Sequence, residues 1–274
     1  MVLSGAELSK KIKESTKEEI SALKAEGITP ALRCVVSSAD RSTDVYLNSI
    51  KKNCEKLGID FAKVVTDGEH IIEDVKKLND DKKISGIMIM HPVPQGVNEI
   101  AVLESLNPLK DVEGRTPQNL GKVLLGVESF TPCTAQAVME LLDYYKVDLK
   151  GANVTIVGRS TTVGKPLSLM MLSKDATVTV CHSKTRDLKE KTKNADVLIA
   201  AVGKAKMFDA EWVKEGAVVI DVGINVVNGK VVGDVDFESV SQKASVSKVP
   251  GGVGSVTSAI LMRNVVKAAQ LNNQ

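Results

Sequence analysis

The feature that most constrains this chain is the alternation of two patterns along it. Short apolar runs recur, and helical periodicity follows each one. In the first half the runs are Ala31–Val36, Phe61–Val65 and Ile84–Met90, interleaved with helical spacing over 6–25, 43–57 and 70–78. Runs without a polar alternation fit strands buried on both faces, and strands joined through helices lie parallel. A helix over 134–145 leads to a second alternating block, with strands at 153–157, 176–181, 196–202 and 217–221 and helical segments between them. Helical spacing returns over 256–271. The prediction is an α/β chain of two domains: an N-terminal α/β domain with a parallel sheet over 1–147, and a Rossmann-type dinucleotide domain over 148–254. A C-terminal helix within 255–274 is expected to pack back on the first domain, because the second sheet is complete without it.

Composition removes several classes. With 274 residues, 43% hydrophobic and 26% charged, the chain can bury two modest cores. A formal net charge of +2 gives no general attraction to nucleic acid or to a membrane. No apolar stretch reaches the ~18–20 residues of a membrane span. The opening Met1-Val2-Leu3-Ser4-Gly5 runs directly into a charged amphipathic helix, so no signal peptide is expected. Aromatics are too scarce for base-stacking platforms (one Trp, three Tyr, four Phe). Cys34, Cys54, Cys133 and Cys181 form no close pair, which reads as free thiols in a reducing cytoplasm. His70, His91 and His182 lack metal-ligand spacing, and no metal is expected.

Candidate ligand sites follow strands. The turn Gly158-Arg159-Ser160-Thr161-Thr162-Val163-Gly164-Lys165-Pro166 joins a strand to a helix, where backbone N–H groups can approach a pyrophosphate. Its spacing is G-x-S-x-x-V-G, not G-x-G-x-x-G, so alone it is a weak signal. The next strand ends Cys181-His182-Ser183-Lys184-Thr185, without the acid that holds an NAD ribose. Ser183, Lys184 and Arg159 would instead attract a 2′-phosphate, which favours NADP. Further glycine loops follow at Val202-Gly203, Gly223-Ile224 and Pro250-Gly251-Gly252. In the first block, His91-Pro92-Val93-Pro94-Gln95-Gly96 must be a loop at the carboxyl end of a strand, the side where open α/β sheets place ligands.

These segments together resemble one family. G-R-S-x-x-V-G-x-P, C-H-S-K-T, A-V-G-K, I-D-V-G-I-N, V-V-G-D-V and V-P-G-G-V-G are similar to the signature of the methylenetetrahydrofolate dehydrogenase/cyclohydrolase proteins, often called FolD. The resemblance runs from about residue 5 to residue 270. It implies a homodimer of two-domain subunits with a folate cleft between the domains. It also implies NADP-dependent oxidation of 5,10-methylene-tetrahydrofolate to 5,10-methenyl-tetrahydrofolate, followed in most members by hydrolysis to 10-formyl-tetrahydrofolate. The cofactor set it implies is Gly158, Arg159, Ser160, Val163, Gly164, His182, Ser183, Lys184, Val202, Gly203, Gly223, Ile224 and Thr257. The implied substrate set is Tyr46, Asp111, Glu113, Pro250, Gly251 and Gly252.

The first block departs from the family pattern. A Tyr followed four residues later by a Lys is usual; here Tyr46 is followed by Ile50, and Lys51 points about 100° away around the helix. The usual strand-end Gln is Met90, followed by His91. The second acid of the K-D-V-D-G loop is Glu113, and Ser255 stands where a proline is usual. Hydride transfer is chiefly a positioning task, which Tyr46 and Glu113 can still serve. Hydrolysis needs an activated water, and neither Ile50 nor Met90 can provide one. The first expectation is therefore a dehydrogenase with weak or lost cyclohydrolase activity. The alternatives are a bifunctional enzyme with relocated hydrolytic groups, His91 foremost, and a non-catalytic NADP-binding regulatory paralogue.

Overall fold

The structure, a computed structural model, describes residues 1–37 and 41–273; of Arg41 and Ser42 only the backbone is described. Its contacts divide the chain into two compact units. One contains Lys11–Lys122, Glu128–Thr131 and the chain from Ser258 onward. The other contains Met1–Lys10, Val123–Val127 and Pro132–Thr257.

The unit built on Lys11–Lys122 holds a three-stranded parallel sheet with Ala31–Val36 between Asp60–Val65 and Gly86–Ile89. Helices Arg41–Leu57 and Ile71–Asp80 make the crossovers. Ile71, Val75, Ile84, Ile87, Ile89, Val102 and Leu106 pack with Val35 into one core cluster. Each such side chain contributes about 1.5–3 kcal/mol when fully buried. That outweighs the poor intrinsic stability of a ten-residue helix such as Ile71–Asp80. Two short helices, Glu99–Ser105 and Pro117–Leu125, lie where the sequence reading has no helix. The first is capped by Asn98, whose side chain accepts from Ile100 N at 3.0 Å.

The second unit holds a six-stranded parallel sheet in the order Val2–Leu3, Ser245–Ser247, Val218–Asp221, Val197–Ala200, Asn153–Val157, Thr177–Cys181. The sequence reading has only the last four of these strands. Chain residues Val2 and Leu3 supply an edge: Val246 N donates to Met1 O at 3.0 Å. This moves residues 1–10 out of the unit expected for them. Helix Cys133–Tyr144 also falls here, packed on helix Gly164–Leu172, and the Tyr145 hydroxyl is tied to Ser4. The buried residues of Cys133–Tyr144 include Ala135, Val138, Leu141 and Leu142. The contact division therefore differs from a simple cut at residue 147. The terminal helix Val253–Asn272 divides at Thr257, and its larger part clusters with the Lys11–Lys122 unit. Among the described residues no helix is long and apolar enough to cross a membrane.

Candidate active site

The nucleotide-type turn is shaped by close approach. Strand Asn153–Val157 ends at Gly158, with φ +138°, and a Cβ there would lie 2.3 Å from Ala201 O. A Cβ on Gly164 would lie 2.0 Å from Gly158 O. Only two glycines let the chain fold back this tightly before helix Gly164–Leu172 begins. Ser160 fixes the turn from within: its Oγ accepts from Val163 N at 3.1 Å and its carbonyl from Lys165 N at 3.0 Å. Val163 N, Lys165 N and Leu167 N are taken up inside the turn and Pro166 has no N–H, so Gly164 N is the first-turn donor left to meet an anion at the helix N-terminus. Gly158 N donates to Cys181 O, which sets the end of the neighbouring strand beside the turn.

Beyond Cys181 the backbone turns sharply. Thr185 Oγ1 accepts from His182 N at 2.8 Å, and His182 Nδ1 accepts from Lys184 N at 3.1 Å. His182 therefore orders the loop carrying Ser183 and Lys184, both exposed.

Two buried carboxylates organise the remaining loops. Asp234, fully buried, accepts from Val202 N at 2.6 Å, Gly203 N at 2.9 Å, Lys204 N at 2.8 Å and Asn225 Nδ2 at 3.0 Å. Asp221 accepts from Gly223 N, Asp234 N and Val235 N, each at 2.9 Å. Burial pushes the Asp221 carboxyl up to about 6, against the pull of those three N–H donors. Glycine is required opposite each acid: a Cβ on Gly223 would lie 2.2 Å from the Asp234 carboxyl, and one on Gly233 would lie 1.8 Å from Asp221 Oδ2. Val202, Gly203 and Gly223 are thus held by one interlocked pair. Ile224 is largely exposed. Pro250, Gly251 and Gly252 lie before the terminal helix, where Gly251 O accepts from Gly5 N at 2.8 Å. Thr257 Oγ1 donates back to Val253 O within its own helix.

The other unit carries Tyr46, Ile50, Met90, His91, Asp111 and Glu113. Tyr46 is exposed on helix Arg41–Leu57, while Leu47, Ile50 and Cys54 form the buried stripe of that helix. Ile50 is only 4% exposed. Lys51 points to solvent, 3.8 Å from Glu55 on the next turn. Met90 is buried, and its N–H donates to Val35 O at 2.9 Å. Asp111 is engaged in the fold itself: its Oδ2 accepts from Thr116 N at 2.7 Å and Asn119 Nδ2 at 2.9 Å, closing the start of helix Pro117–Leu125.

Glu113 belongs to an ionic cluster that the sequence reading does not assemble. Arg115, 8% exposed, donates from Nη1 to Ile89 O at 3.1 Å and from Nη2 to Glu99 Oε1 at 3.0 Å. Its Nη1 is 3.6 Å from Glu113 Oε2, and His91 Nε2 is 3.4 Å from Glu99 Oε1. Burial pushes the Glu113 carboxyl up to about 7; Arg115 opposes this and Asp111 adds to it. Burial holds His91 below its ordinary value, helped by Arg115 and opposed by Glu99. The cluster sits at the carboxyl end of strand Gly86–Ile89. The residues sequence reasoning missed are Arg115 and Glu99 here, and Asp221 and Asp234 in the other unit. An acid or base directly after a glycine, as in Gly114-Arg115 and Gly233-Asp234, is the signal that could have found two of the four.

A glycine-closed strand–helix turn in one parallel sheet, with an ionisable cluster at a strand end in a second unit, defines a two-domain α/β enzyme of the dinucleotide-dependent class. Residues 132–273 match the tetrahydrofolate dehydrogenase/cyclohydrolase NAD(P)-binding domain, and residues 3–113 match the catalytic domain of the same family. The chain belongs to the tetrahydrofolate dehydrogenase/cyclohydrolase family of enzymes. It is 50% identical over 273 residues to the bifunctional protein FolD of Kosmotoga olearia, covering 98% of this chain and 97% of that protein. It is 46% identical over 276 residues to the FolD of Acetivibrio thermocellus, covering 98% and 97%. Among solved structures, the Campylobacter jejuni bifunctional FolD superposes with a TM-score of 0.96 at 41% identity, covering 99% of each chain. A Trypanosoma brucei FolD complexed with NADP and inhibitor gives a TM-score of 0.94 at 29% identity, covering 100% of this chain and 98% of that one.

Proposed function

We propose that this chain oxidises 5,10-methylene-tetrahydrofolate with NADP and hydrolyses the methenyl product to 10-formyl-tetrahydrofolate. The observation that carries the oxidation is the Gly158–Gly164 turn, a cradle that any Cβ would fill, beside a strand end that bears Ser183 and Lys184 and no acid. That cradle fits a dinucleotide. Gly158, Ser160, Val163 and Gly164 would hold the pyrophosphate, and Arg159, Ser183 and Lys184 the 2′-phosphate. Bound NADP would supply the hydride acceptor. The chain's own part is placement: Asp234 and Asp221 fix the loops at 202–204 and 223–225, and Tyr46 and Glu113 would seat the folate. Nitrogen lone pairs of the folate stabilise the cation as the hydride departs, so no side chain need ionise in that step.

Hydrolysis is supported by the relatives, which are named bifunctional at 42–50% identity over nearly their whole length. That weighs against the sequence-based expectation of lost cyclohydrolase activity. The loss remains the second reading because Ile50 and Met90 are both apolar and buried. We assign folate to the Lys11–Lys122 unit and NADP to the other, and a homodimer as the working state. The exposed Ile224, Val226, Val227 and Val231 on and beside hairpin Asn225–Val232 favour association. Paired assays on one preparation test the reading. Methenyl absorbance should rise with NADP more readily than with NAD, then fall faster than its spontaneous decay in the same buffer. Accumulation without accelerated decay selects the second reading. Light scattering at twice the chain mass checks the dimer.

A further inference from the structure

We propose that His91, oriented by Glu99 and braced by Arg115, is the general base of the hydrolysis, standing in for an amine at Ile50. The inference rests on the bifunctional reading above.

Four observations carry it. His91 follows strand Gly86–Ile89 at the edge where a parallel sheet presents its ligand sites. Its imidazole is exposed, with 38% of the side chain open to solvent, and Nε2 lies 3.4 Å from Glu99 Oε1. The same Glu99 oxygen accepts from Arg115 Nη2 at 3.0 Å, and Arg115 is anchored in turn to Ile89 O at 3.1 Å. The base is thereby referred back to the strand end through two side chains. Last, Arg115 is largely buried, and a buried guanidinium is retained only where carboxylates or carbonyls partner it. Glu99 meets Nη2 and Glu113 lies near Nη1, while the buried Nε has no hydrogen-bond partner, so the Nη2 contact is what holds Glu99 in place. An ordinary surface His–Glu pair has no such brace and contributes little.

The chemistry balances. Nε2 lies on the Glu99 side at 3.4 Å, and the tautomer that keeps its proton on Nε2 leaves the lone pair on Nδ1. A water oxygen bonds to the carbon bridging N5 and N10 of the methenyl cation, and the water's proton passes to Nδ1. The carbon–N5 bond then breaks, its electron pair goes to N5, and N5 takes up a proton. The new hydroxyl gives up its proton and becomes the formyl carbonyl. One proton is released per turnover. The groups facing His91 are Arg115 and Glu99, and Glu113 faces Arg115 from its far side. Burial and Arg115 keep the imidazole neutral at pH 7, the form a base requires. With Glu113 between its two protonation states near pH 7, the cluster's charge lies between zero and minus one, which does not oppose a cationic substrate.

The test measures hydrolysis of methenyl-tetrahydrofolate and oxidation of methylene-tetrahydrofolate on the same preparations. In His91→Ala the ratio of hydrolysis to oxidation should fall about 100-fold, the ordinary worth of a general base. Added imidazole should restore part of the lost hydrolysis, which a merely structural role would not allow. Glu99→Gln should lower the ratio by about 10-fold and shift the acid limb of the hydrolysis pH profile. A ratio within about threefold of wild type in His91→Ala overturns the assignment of the base and leaves the bifunctional reading standing. Wild-type protein that oxidises methylene-tetrahydrofolate but hydrolyses no faster than buffer overturns both.

Discussion

The two units keep their ionisable groups to different ends. In the nucleotide unit, Asp221 and Asp234 are spent on backbone N–H groups of loops, and every oxygen has a neighbour within 3.0 Å. In the other unit, Glu99, Glu113, Arg115 and His91 face one another across 3.0–3.6 Å, half in reach of solvent. The first arrangement fixes the shape of the loops at 202–204 and 223–225. The second holds groups that can exchange protons near neutral pH. A carboxylate that accepts from backbone donors is scaffold; one held by a shared cation is available for chemistry.

Removing a scaffold acid should break that contrast most visibly. Asp234→Ala leaves Val202 N, Gly203 N, Lys204 N and Asn225 Nδ2 without their common acceptor. A buried group left unsatisfied costs about 1–3 kcal/mol, and less at Gly203 and Lys204, which water can reach, so the loss is on the order of 3 kcal/mol. Urea denaturation should show the midpoint collapse, and calorimetry should show NADP affinity lost with it. A variant that kept wild-type stability would mean these loops are not held by Asp234.

Glu113 makes the next largest difference, and its sign is opposite to that of a salt-bridged acid. Its folded value, about 7, lies above the ordinary glutamate value of 4.5. The stabilisation from holding its proton is complete below that ordinary value and is lost as pH rises through about 7. At 1.36 kcal/mol per pH unit, the loss is at most on the order of 3 kcal/mol. Glu113→Gln should flatten wild-type stability between pH 4.5 and 7. An equally steep slope in the variant would move the effect to another group.

The sequence made the parallel sheets legible because buried strands need unbroken apolar runs, and Asn153–Val157 lies where its run predicts. It hid the edge strand Val2–Leu3, since two residues carry no period and their pairing with Val246 and Ser247 is set by tertiary contact. It hid helix Pro117–Leu125, whose start is fixed by Asp111 from six residues upstream of Pro117. The glycine turn was readable because close approach admits no other residue. The ionic cluster was not, because Glu99 and Arg115 meet only once the chain has turned through the intervening helix. The angle of Lys51 on the helix, about 100° from Ile50, turns it off the buried stripe, and it faces solvent.

A smaller effect is expected at the strand end of the nucleotide unit. Ser183→Asp places an acid where a 2′-phosphate would lie and where an NAD ribose would be held. The KM for NADP should rise by about 10-fold or more while that for NAD falls, a coupling of about 1.4 kcal/mol. Initial-rate kinetics with both cofactors measure it. An unmoved ratio would take Ser183 and Lys184 out of the 2′-phosphate site without touching the turn at Gly158.

The smallest effect separates position from residue type. Lys51 follows directly after the position where the family places its lysine, yet its ammonium lies in water, 3.8 Å from Glu55. Such an exposed pair on one helix contributes ~0.3–0.5 kcal/mol. Lys51→Ala should therefore shift the denaturation midpoint barely above error and leave both reaction rates where they were. Ile50, on the buried stripe, cannot lend its neighbour a place in the site, because a helix turns about 100° per residue. A large fall in hydrolysis for Lys51→Ala would show that the amine reaches the substrate by a route the helix geometry disfavours. It would also move the search for the hydrolytic base from His91 back to this helix.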